Sequence, residues 1–484
     1  MRCWRLLYAL LVALLPGASS LTPAQLNDTT ACDASGFGDL TPYQQRLDLL
    51  SPYNVSANWT YFLPLYASRP LAVRDTTVVS VAVFLHGLNA NANAYYCTGA
   101  AAVQAAGRAS DVLSLAPWFG NEQVLASEWG EGGDDAARSA FWDTTRWLNG
   151  GNASPGDGPS GWTTAFDVLD ALVANLNSGV AFPNLKLITF VGFSAGAQLA
   201  SRYAWATPLS AGVRFLVSDP GTLLYLDNAR PAPSCRPLYD TGSTVHCDNF
   251  TVPSPVEDCD SDYNTYKYGV QQGSLGSANA YLAPMDTDPT LITFATTRFE
   301  GKDVVYVFGS EDSCNCGSTG FDNGEQCFPA DVMCVDDAGL NVTSGCCDTY
   351  PDGLNNALDF SCAASVQGSN RLQRGLLYML YLQSVYGIST PAARFFVIDM
   401  AHNNSVFYAS APFREWAFYA APSGGSSGWR RGAAIGGALG GAAALLLAGL
   451  LLRRRWRRAQ QPTFYDAEET VEDSMEAPLL GEER

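Results

Sequence analysis

The sequence predicts an α/β protein built on a doubly wound, mostly parallel sheet, and three observations lead to this fold class. Apolar runs rich in β-branched residues recur along the chain, helical stretches separate them, and turn residues mark the junctions. Two stretches, about 227–290 and 313–367, interrupt this alternation and carry cysteines, so we expect them to form a lid over a site. One apolar segment near the C-terminus is expected to be a transmembrane helix.

The expected strands are short and nearly continuous in apolar residues, as strands buried on both faces require. They cover residues 78–85, 111–116, 185–191, 213–217, 304–308 and 395–398. Residues 162–177 lie between the second and third runs and present apolar side chains at helical spacing, namely Phe166, Leu169, Leu172, Val173 and Leu176. Strands that alternate with helices in this way form a parallel sheet covered on both faces.

Composition and charge exclude two classes of protein. The 484 residues are 47% hydrophobic and 12% aromatic, which is too apolar for a disordered chain. Lys and Arg number 28 against 47 Asp and Glu, so the net charge is −19. Because nucleic-acid binding depends on neutralising phosphates with basic residues, this balance argues against a nucleic-acid partner.

The first 20 residues are typical of a secretory signal peptide. Arg2 and Arg5 precede an apolar run, and the small residues Ala18, Ser19 and Ser20 offer a cleavage site. An uncleaved membrane anchor is the alternative, but the apolar run is short for a bilayer span. We therefore expect residues 21–421 to form a domain that enters the secretory pathway.

The segment 432–452 has no charged residue and is long enough to cross a bilayer. Five arginines follow it closely, whereas only Arg430 and Arg431 precede it. Since positive residues stay in the cytosol, the domain 21–421 and its linker 422–431 are expected to be luminal or extracellular, and the tail 453–484 cytosolic. The expected location is a membrane of the secretory pathway or the cell surface.

Cysteine usage agrees with an oxidising compartment. The chain has 13 cysteines, and loss of Cys3 with the signal peptide leaves an even number. Seven fall in the second insertion, which predicts disulfides there and at least one bridge to Cys235, Cys247 or Cys259 in the first. A zinc site is the rival, but this cluster holds no histidine and lacks the spacing of a zinc knuckle. Glycosylation acceptors are expected at Asn27, Asn54, Asn58, Asn152, Asn249, Asn341 and Asn403, with Asn152 weakened by a nearby proline.

The strongest chemical signal is the sequence Gly192-Phe193-Ser194-Ala195-Gly196. It follows directly on a predicted strand and precedes a helical stretch, which is the context that gives G-x-S-x-G its meaning. In that context the glycines permit a sharp turn that presents the serine oxygen above the sheet, next to a helix N-terminus. Ser194 is therefore the candidate nucleophile, and an ordinary turn with a serine helix cap is the alternative.

The loop after the first predicted strand begins His86-Gly87-Leu88. In a fold with this serine turn, an N–H of that loop and the N–H after the nucleophile hold the oxyanion of an acyl-transfer reaction. We therefore assign the backbone amides of Leu88 and Ala195 as oxyanion donors. For His86 itself we favour a structural role, in which its ring binds the loop.

A general base for Ser194 must come from the three histidines of the chain. His86 precedes the oxyanion loop, and His246 lies in an insertion beside a cysteine. His402 follows the last predicted strand and completes the chain order serine, acid, histidine, so we assign it as the base.

The acid is less narrowly defined. The predicted strand 304–308 is followed by Gly309-Ser310-Glu311-Asp312, which makes Asp312 the leading candidate. Glu311 beside it and Asp219, which follows the preceding strand, are alternatives. Each of the three carboxylates can also have a purely structural role, such as capping a helix or binding a loop.

Several segments resemble the serine-nucleophile branch of the α/β-hydrolase superfamily, in particular esterase-like members from fungi, plants and bacteria. They are HGLNANANAY, FDVLDALVANL, FPNLKLITFVGFSAGAQ and SRYA, within about residues 75–405. Relatives often read GHSAGGQ at the serine turn, whereas this chain has Phe193 and Ala197 at two of those positions. The resemblance implies the α/β-hydrolase fold and hydrolase chemistry, without a particular substrate.

The sequence thus predicts a membrane-anchored serine hydrolase that cleaves carboxylic esters through an acyl-enzyme on Ser194, with His402 as base and Asp312 as acid. The expected substrate is a small-molecule or lipid ester, and no metal or organic cofactor is implied. Peptidase or amidase activity stays open, whereas epoxide and haloalkane hydrolysis are disfavoured because they use an aspartate nucleophile in this fold. The alternative is a catalytically silent adhesion or sorting module on a hydrolase scaffold.

Overall fold

A computed structural model describes residues 32–33, 36–37, 40–49, 61–121, 139–154, 163–232, 235, 247, 249–253, 261–310, 312, 334–335, 341–342, 358–359, 361–368, 370–387 and 394–419. The predicted signal peptide, the membrane segment 432–452 and the tail lie outside these ranges. Within them, every helix is too short or too polar to cross a bilayer.

The framework is one eight-stranded sheet. Its strands are β1 (Gln44–Leu49), β2 (Tyr61–Ala67), β3 (Ser80–Leu85), β4 (Val112–Pro117), β5 (Leu187–Phe193), β6 (Val213–Ser218), β7 (Asp303–Gly309) and β8 (Phe395–Ile398). They lie side by side in the order β8-β7-β6-β5-β3-β4-β2-β1. β3 to β8 are parallel, and β2 is antiparallel to both β1 and β4. The carboxyl ends of the six parallel strands therefore share one edge of the sheet.

Seven helices of six residues or more accompany this sheet in the described ranges. They are α1 (Ala92–Ala105), α2 (Ala165–Leu176), α3 (Ala195–Ala206), α4 (Thr290–Glu300), α5 (Arg371–Tyr386), α6 (Asn404–Ala409) and α7 (Ala411–Trp416). Shorter helical turns cover Thr41–Tyr43, Thr145–Asn149, Ser261–Asn264, Leu275–Ala278, Ala280–Leu282, Ala283–Thr287 and Cys362–Ser365. Two-residue strands pair as Cys32–Asp33 with Gly36–Phe37, Arg230–Pro231 with Phe250–Thr251, and Cys334–Val335 with Asn341–Val342.

The two faces of the sheet bury two separate apolar cores, because helices cover both faces, as in other doubly wound folds. Successive side chains of a strand point to opposite faces, and β3 shows this directly. Val83 and Leu85 lie in the core under α2, α3, α4 and α5, whereas Phe84 lies in the core under α1, α6 and α7. Because both faces are covered, every residue of β3 is buried, and its sequence is apolar almost throughout.

All six predicted strands are present, with boundaries that differ from the predicted ones by at most two residues. The helix predicted at 162–177 begins later, at Ala165, because Thr164 and Asp167 form a reciprocal capping box. The antiparallel strands β1 and β2 were not predicted from the sequence. Polar residues dilute the pattern of β1, and Pro64 interrupts that of β2.

The described part of the first insertion is integral to the main core rather than part of a lid. Leu275 and Leu282 are fully buried there. The Tyr281 hydroxyl donates a hydrogen bond to Asp170 on α2, and the Tyr266 hydroxyl donates one to the carbonyl of Asn149. Most of the second insertion lies outside the described residues, but its end is anchored, because the Gln367 side chain bonds both the N–H and the carbonyl of Leu223.

Disulfides close within the described chain at Cys32–Cys97 and Cys235–Cys247. The second pair narrows the predicted bridge between the insertions to Cys259, since Cys235 and Cys247 bond to one another and neither reaches the second insertion. Their thiols meet because the short strands Arg230–Pro231 and Phe250–Thr251 pair and bring the two loop ends together. Cys362 in the second insertion is also disulfide-bonded.

Candidate active site

Five predicted site residues follow the carboxyl ends of parallel strands, at the edge where ligands bind in open α/β sheets. They are Leu88 after β3, Ser194 after β5, Asp219 after β6, Asp312 after β7 and His402 after β8. The register explains their proximity, because Phe193 pairs with Ser218 and Gly309 pairs with Ile398. The sheet therefore brings residues from distant parts of the chain to one place.

Ser194 occupies a sharp, strained turn between β5 and α3. Its backbone has φ 57° and ψ −117°, a region that residues with a side chain rarely adopt. The flanking glycines explain why the turn can close. A Cβ on Gly192 would lie 2.3 Å from the carbonyl oxygen of Gly196, and one on Gly196 would lie 2.1 Å from that of Leu85. The turn leaves Ser194 partly exposed between buried neighbours.

The structure brings His402 and Asp312 together. His402 Nδ1 lies 2.7 Å from Asp312 Oδ2, and the Asp312 side chain is completely buried. A carboxylate can only accept, so Nδ1 is the donor and Nε2 is left as the basic nitrogen. Asp312 sits in a tight turn, since its N–H donates to the carbonyl of Gly309.

Two contacts bring the imidazole of His402 next to the serine turn. Its ring packs against the ring of Phe193, with 4.6 Å between centroids, and Phe193 directly precedes Ser194. The segment that carries His402 also lies close to β7, because a Cβ on Gly309 would lie 2.1 Å from the carbonyl oxygen of Met400. The contact with Phe193 positions the imidazole ring, and the contact with Gly309 positions the backbone that precedes it.

Charge around the pair favours an ionised acid and a neutral base. Burial alone would raise the pKa of Asp312, but His402 and the guanidinium of Arg371, whose Nη1 is 3.4 Å from Oδ1, hold that pKa below its usual value. The pKa of His402 is lowered by burial and by Arg371, against the opposing effect of Asp312. At neutral pH the imidazole is therefore unprotonated and able to accept a proton.

Asp219, the alternative acid, contacts Asp312 rather than His402. Asp219 is fully buried beside Asp312, and its Oδ1 accepts the N–H of Gly309 at 2.9 Å, while the carbonyl of Gly309 accepts the N–H of Asp312. Burial and the neighbouring Asp312 raise the pKa of Asp219 well above its usual value. Its surroundings therefore favour the protonated form more than water does.

His86 has the contacts of a structural residue, as the sequence analysis favoured. Its Nε2 accepts the N–H of Phe119 at 3.0 Å, so Nδ1 carries the proton and donates to the carbonyl of Gly87 at 2.8 Å. The ring also packs against Trp147, and burial lowers its pKa to about 4. Both nitrogens are used and the ring stays neutral.

The bond from His86 orients the peptide that precedes Leu88. In a trans peptide the N–H points away from the carbonyl, and the Gly87 carbonyl is held by His86 Nδ1 and by the N–H of Ala90. The Leu88 N–H therefore points away from the His86 ring. Gly196 lies against the carbonyls of Leu85 and His86, which brings the start of α3 and Ala195 close to this loop.

Of the remaining sequence candidates, Glu311 and His246 lie outside the described residues. The contact of Arg371 with Asp312 and that of Phe193 with His402 were not predicted from the sequence. Arg371 is the first residue of α5, about 60 residues after Asp312 in a chain segment without a motif, so no pattern connected the two. Phe193 lies inside the serine motif, where only its departure from related sequences drew attention.

Comparisons with known proteins give fold-level similarities only. No protein-family model and no curated protein matches the sequence. A poly(aspartic acid) hydrolase from Sphingomonas sp. KT-1 is 14% identical with a TM-score of 0.40, over 77% of this chain and 98% of that one. A poly(3-hydroxybutyrate) depolymerase from Bordetella parapertussis is 14% identical with a TM-score of 0.40, over 84% and 98%. A siderophore hydrolase from Aspergillus nidulans is 11% identical with a TM-score of 0.34, over 78% and 93%.

Similarities this low carry no argument about activity, so the assignment of the fold rests on the chain itself. The strand order contains a single antiparallel excursion at β2, next to an otherwise parallel sheet. The strained serine follows the central strand β5, and the acid and histidine follow the last two strands. Strand order, serine turn and the order of these residues along the chain are those of the α/β-hydrolase fold.

Proposed function

We propose that the protein is a serine hydrolase that cleaves carboxylic esters through an acyl-enzyme on Ser194. One observation carries the proposal: the strained Ser194 turn lies at the same sheet edge as the hydrogen-bonded Asp312–His402 pair. A backbone with φ 57° at a residue other than glycine persists only where the surrounding structure enforces it, and such strain concentrates at catalytic sites.

In the acylation step, Ser194 Oγ attacks the ester carbonyl carbon while His402 Nε2 takes the hydroxyl proton. The tetrahedral intermediate then collapses, the bond to the alcohol oxygen breaks, and the imidazolium returns the proton to the departing alcohol. Asp312 stabilises the imidazolium through its 2.7 Å bond to Nδ1, and it keeps the ring in the tautomer that leaves Nε2 basic.

Deacylation uses the same groups. His402 takes a proton from water as the water oxygen attacks the acyl carbon, and the bond to Ser194 Oγ breaks with return of that proton. The backbone N–H groups of Leu88 and Ala195 are proposed to hold the negative oxygen in both tetrahedral intermediates. The orientation that His86 gives to the peptide before Leu88 supports this assignment, and no step requires a metal or an organic cofactor.

The test is labelling with a fluorophosphonate, which phosphorylates an activated serine and needs no knowledge of the substrate. We expect the full chain to be labelled, the labelled peptide to contain Ser194, and Ser194→Ala to abolish labelling. Ser210→Ala, at an exposed serine beyond the end of α3, is the matched control and should label as the wild type does. Folded wild-type protein without a label would instead favour the catalytically silent module.

Anchoring to a membrane through residues 432–452 is part of the proposal and rests on the sequence alone. Protease added to intact microsomes should remove only the residues after this segment and leave the hydrolase domain protected. Digestion of the domain with a protected C-terminus would contradict the proposed orientation. Glycosidase treatment of the same microsomes would show whether the sequons in the domain, such as Asn249, carry glycans.

A further inference from the structure

Behind the Asp312–His402 pair lies a second buried carboxyl group that the acyl-transfer mechanism does not use. Asp219 follows β6 with φ 49°, in the left-handed region, and its carboxyl group lies beside that of Asp312. Asp219 Oδ1 accepts the N–H of Gly309 at 2.9 Å, and Oδ2 accepts the hydroxyl of Ser218 at 2.8 Å. Both carboxyl groups are fully buried.

Two carboxyl groups side by side and away from water are not both ionised, so one of them holds a proton. Their surroundings decide which one. Asp312 faces the Arg371 guanidinium and the Nδ1–H of His402, both of which favour a negative charge. Asp219 accepts hydrogen bonds from two neutral donors, the Ser218 hydroxyl and the Gly309 N–H, and the negative charge of Asp312 beside it opposes its ionisation.

We propose that Asp219 is a positioning residue: it stays protonated and donates a hydrogen bond to Asp312, which holds the Asp312 carboxylate in line with His402 Nδ1. Asp312 is then fixed by three partners, Asp219, Arg371 and His402. Gly309 connects the two acids, because its N–H binds Asp219 and its carbonyl accepts the N–H of Asp312. The inference rests on the proposed function only where activity is its readout.

Two substitutions separate a hydrogen-bond donor from a space-filling side chain. Asp219→Leu keeps the branching of the side chain at Cγ but cannot donate, so we expect kcat to fall at least roughly tenfold with KM little changed, since the alignment of the acid and base is lost. Asp219→Asn keeps a donor for Asp312 and an acceptor for Gly309, and asparagine tolerates positive φ. It is expected to recover most of the activity lost in Asp219→Leu.

The pH profile provides a readout that loss of packing would not change. At high pH Asp219 loses its proton, and its negative charge then repels the carboxylate of Asp312. This repulsion displaces Asp312 from His402, so kcat/KM of the wild type should fall at alkaline pH. Asp219→Asn has no proton to lose and should keep its plateau there. The other charged or titratable groups facing this pair, Arg371 and His402, are the same in both proteins.

A measurement without turnover keeps this inference separate from the proposed function. Infrared difference spectra between wild type and Asp219→Asn at neutral pH should show the carbonyl stretch of a protonated carboxylic acid in the wild type alone, even if the chain fails to label with fluorophosphonate. Absence of that band would overturn the inference. It would also be overturned by Asp219→Asn being as inactive as Asp219→Leu, or by equal alkaline limbs in wild type and Asp219→Asn.

Discussion

The imidazole of His402 packs against the ring of Phe193, which is the residue that immediately precedes Ser194. The centroids are 4.6 Å apart and the planes are inclined by 37°. Phe193 in turn packs against Phe407 on α6, so the aromatic ring is held between the histidine and the helix that follows it. The proposed base is thereby supported by the same motif that carries the proposed nucleophile.

Phe193→Leu should reduce kcat by roughly tenfold to a hundredfold, because the smaller side chain leaves the His402 ring without its packing partner and small misplacements of catalytic groups are costly. Steady-state kinetics on an activated ester would measure the loss. Phe190→Leu is the matched control, since Phe190 is a fully buried ring on the opposite face of β5, against Tyr203 and Phe215. Equal losses of kcat in both variants would show that general destabilisation is responsible.

Asp312→Asn should lower kcat by roughly three to four orders of magnitude while the protein stays folded. The neutral amide cannot stabilise the imidazolium, and its NH₂ group can favour the wrong tautomer of His402. The measurement is kcat beside the melting temperature. Asp303→Asn serves as the control. Asp303 lies at the opposite end of β7, and the substitution removes its ion pairs with Arg214 and Arg394. Near-normal turnover in Asp312→Asn would mean that another group is the acid.

Gly309→Ala should misplace His402, although the atoms nearest to the new methyl group belong to Met400 and Ala401. The added Cβ would lie 2.1 Å from the carbonyl oxygen of Met400, so the segment Met400–His402 must shift. We expect weak fluorophosphonate labelling and a lowered melting temperature. Gly301→Ala is the control, since a Cβ there meets only the Arg298 carbonyl oxygen at 3.7 Å. Unchanged labelling in Gly309→Ala would contradict this account of how β7 and β8 position the base.

Stability should fall in mild acid because of His86. Burial lowers the pKa of His86 in the folded state to about 4 from a usual value of 6.5. Between pH 6.5 and 4, His86 is protonated in the unfolded chain but not in the folded one. The free energy of unfolding therefore falls by about 3 kcal/mol as pH drops from 6.5 to 4. Denaturant titrations at pH 7 and 4.5 should show a smaller loss in His86→Gln, which does not titrate. Equal losses in wild type and His86→Gln would contradict the prediction.

Cys259 is expected to bond to a cysteine of the second insertion. The pairs Cys32–Cys97 and Cys235–Cys247 leave Cys259 as the one unassigned cysteine outside an insertion that holds seven, so complete pairing requires this bridge once Cys3 has been removed. The two insertions also contact one another, since Lys267 Nζ lies 2.9 Å from Asp359. Mass spectrometry of non-reduced peptides would identify the bridge. A free thiol at Cys259 in the mature protein would refute it.

The sequence by itself determined the parallel strands and the nucleophile turn, because these depend on local pattern. Strands buried on both faces are apolar almost throughout, as in β3 and β5, and a serine turn this tight needs glycine at positions 192 and 196. Chain order then led from Ser194 to His402 as the base. Chain order did not decide which of Asp312, Glu311 and Asp219 is the acid, since a carboxylate after β6 or after β7 can reach the same sheet edge.

Only the tertiary structure decided among contacts that join distant segments. The pairing of β7 with β8 brings Asp312 to His402, and the pairing of β7 with β6 brings Asp219 to Asp312 instead of to the imidazole. Arg371 reaches Asp312 from the start of α5, a position without a sequence signal. Whether a carboxyl group is ionised depends on burial and on its neighbours in space, and these are fixed only when the chain has folded.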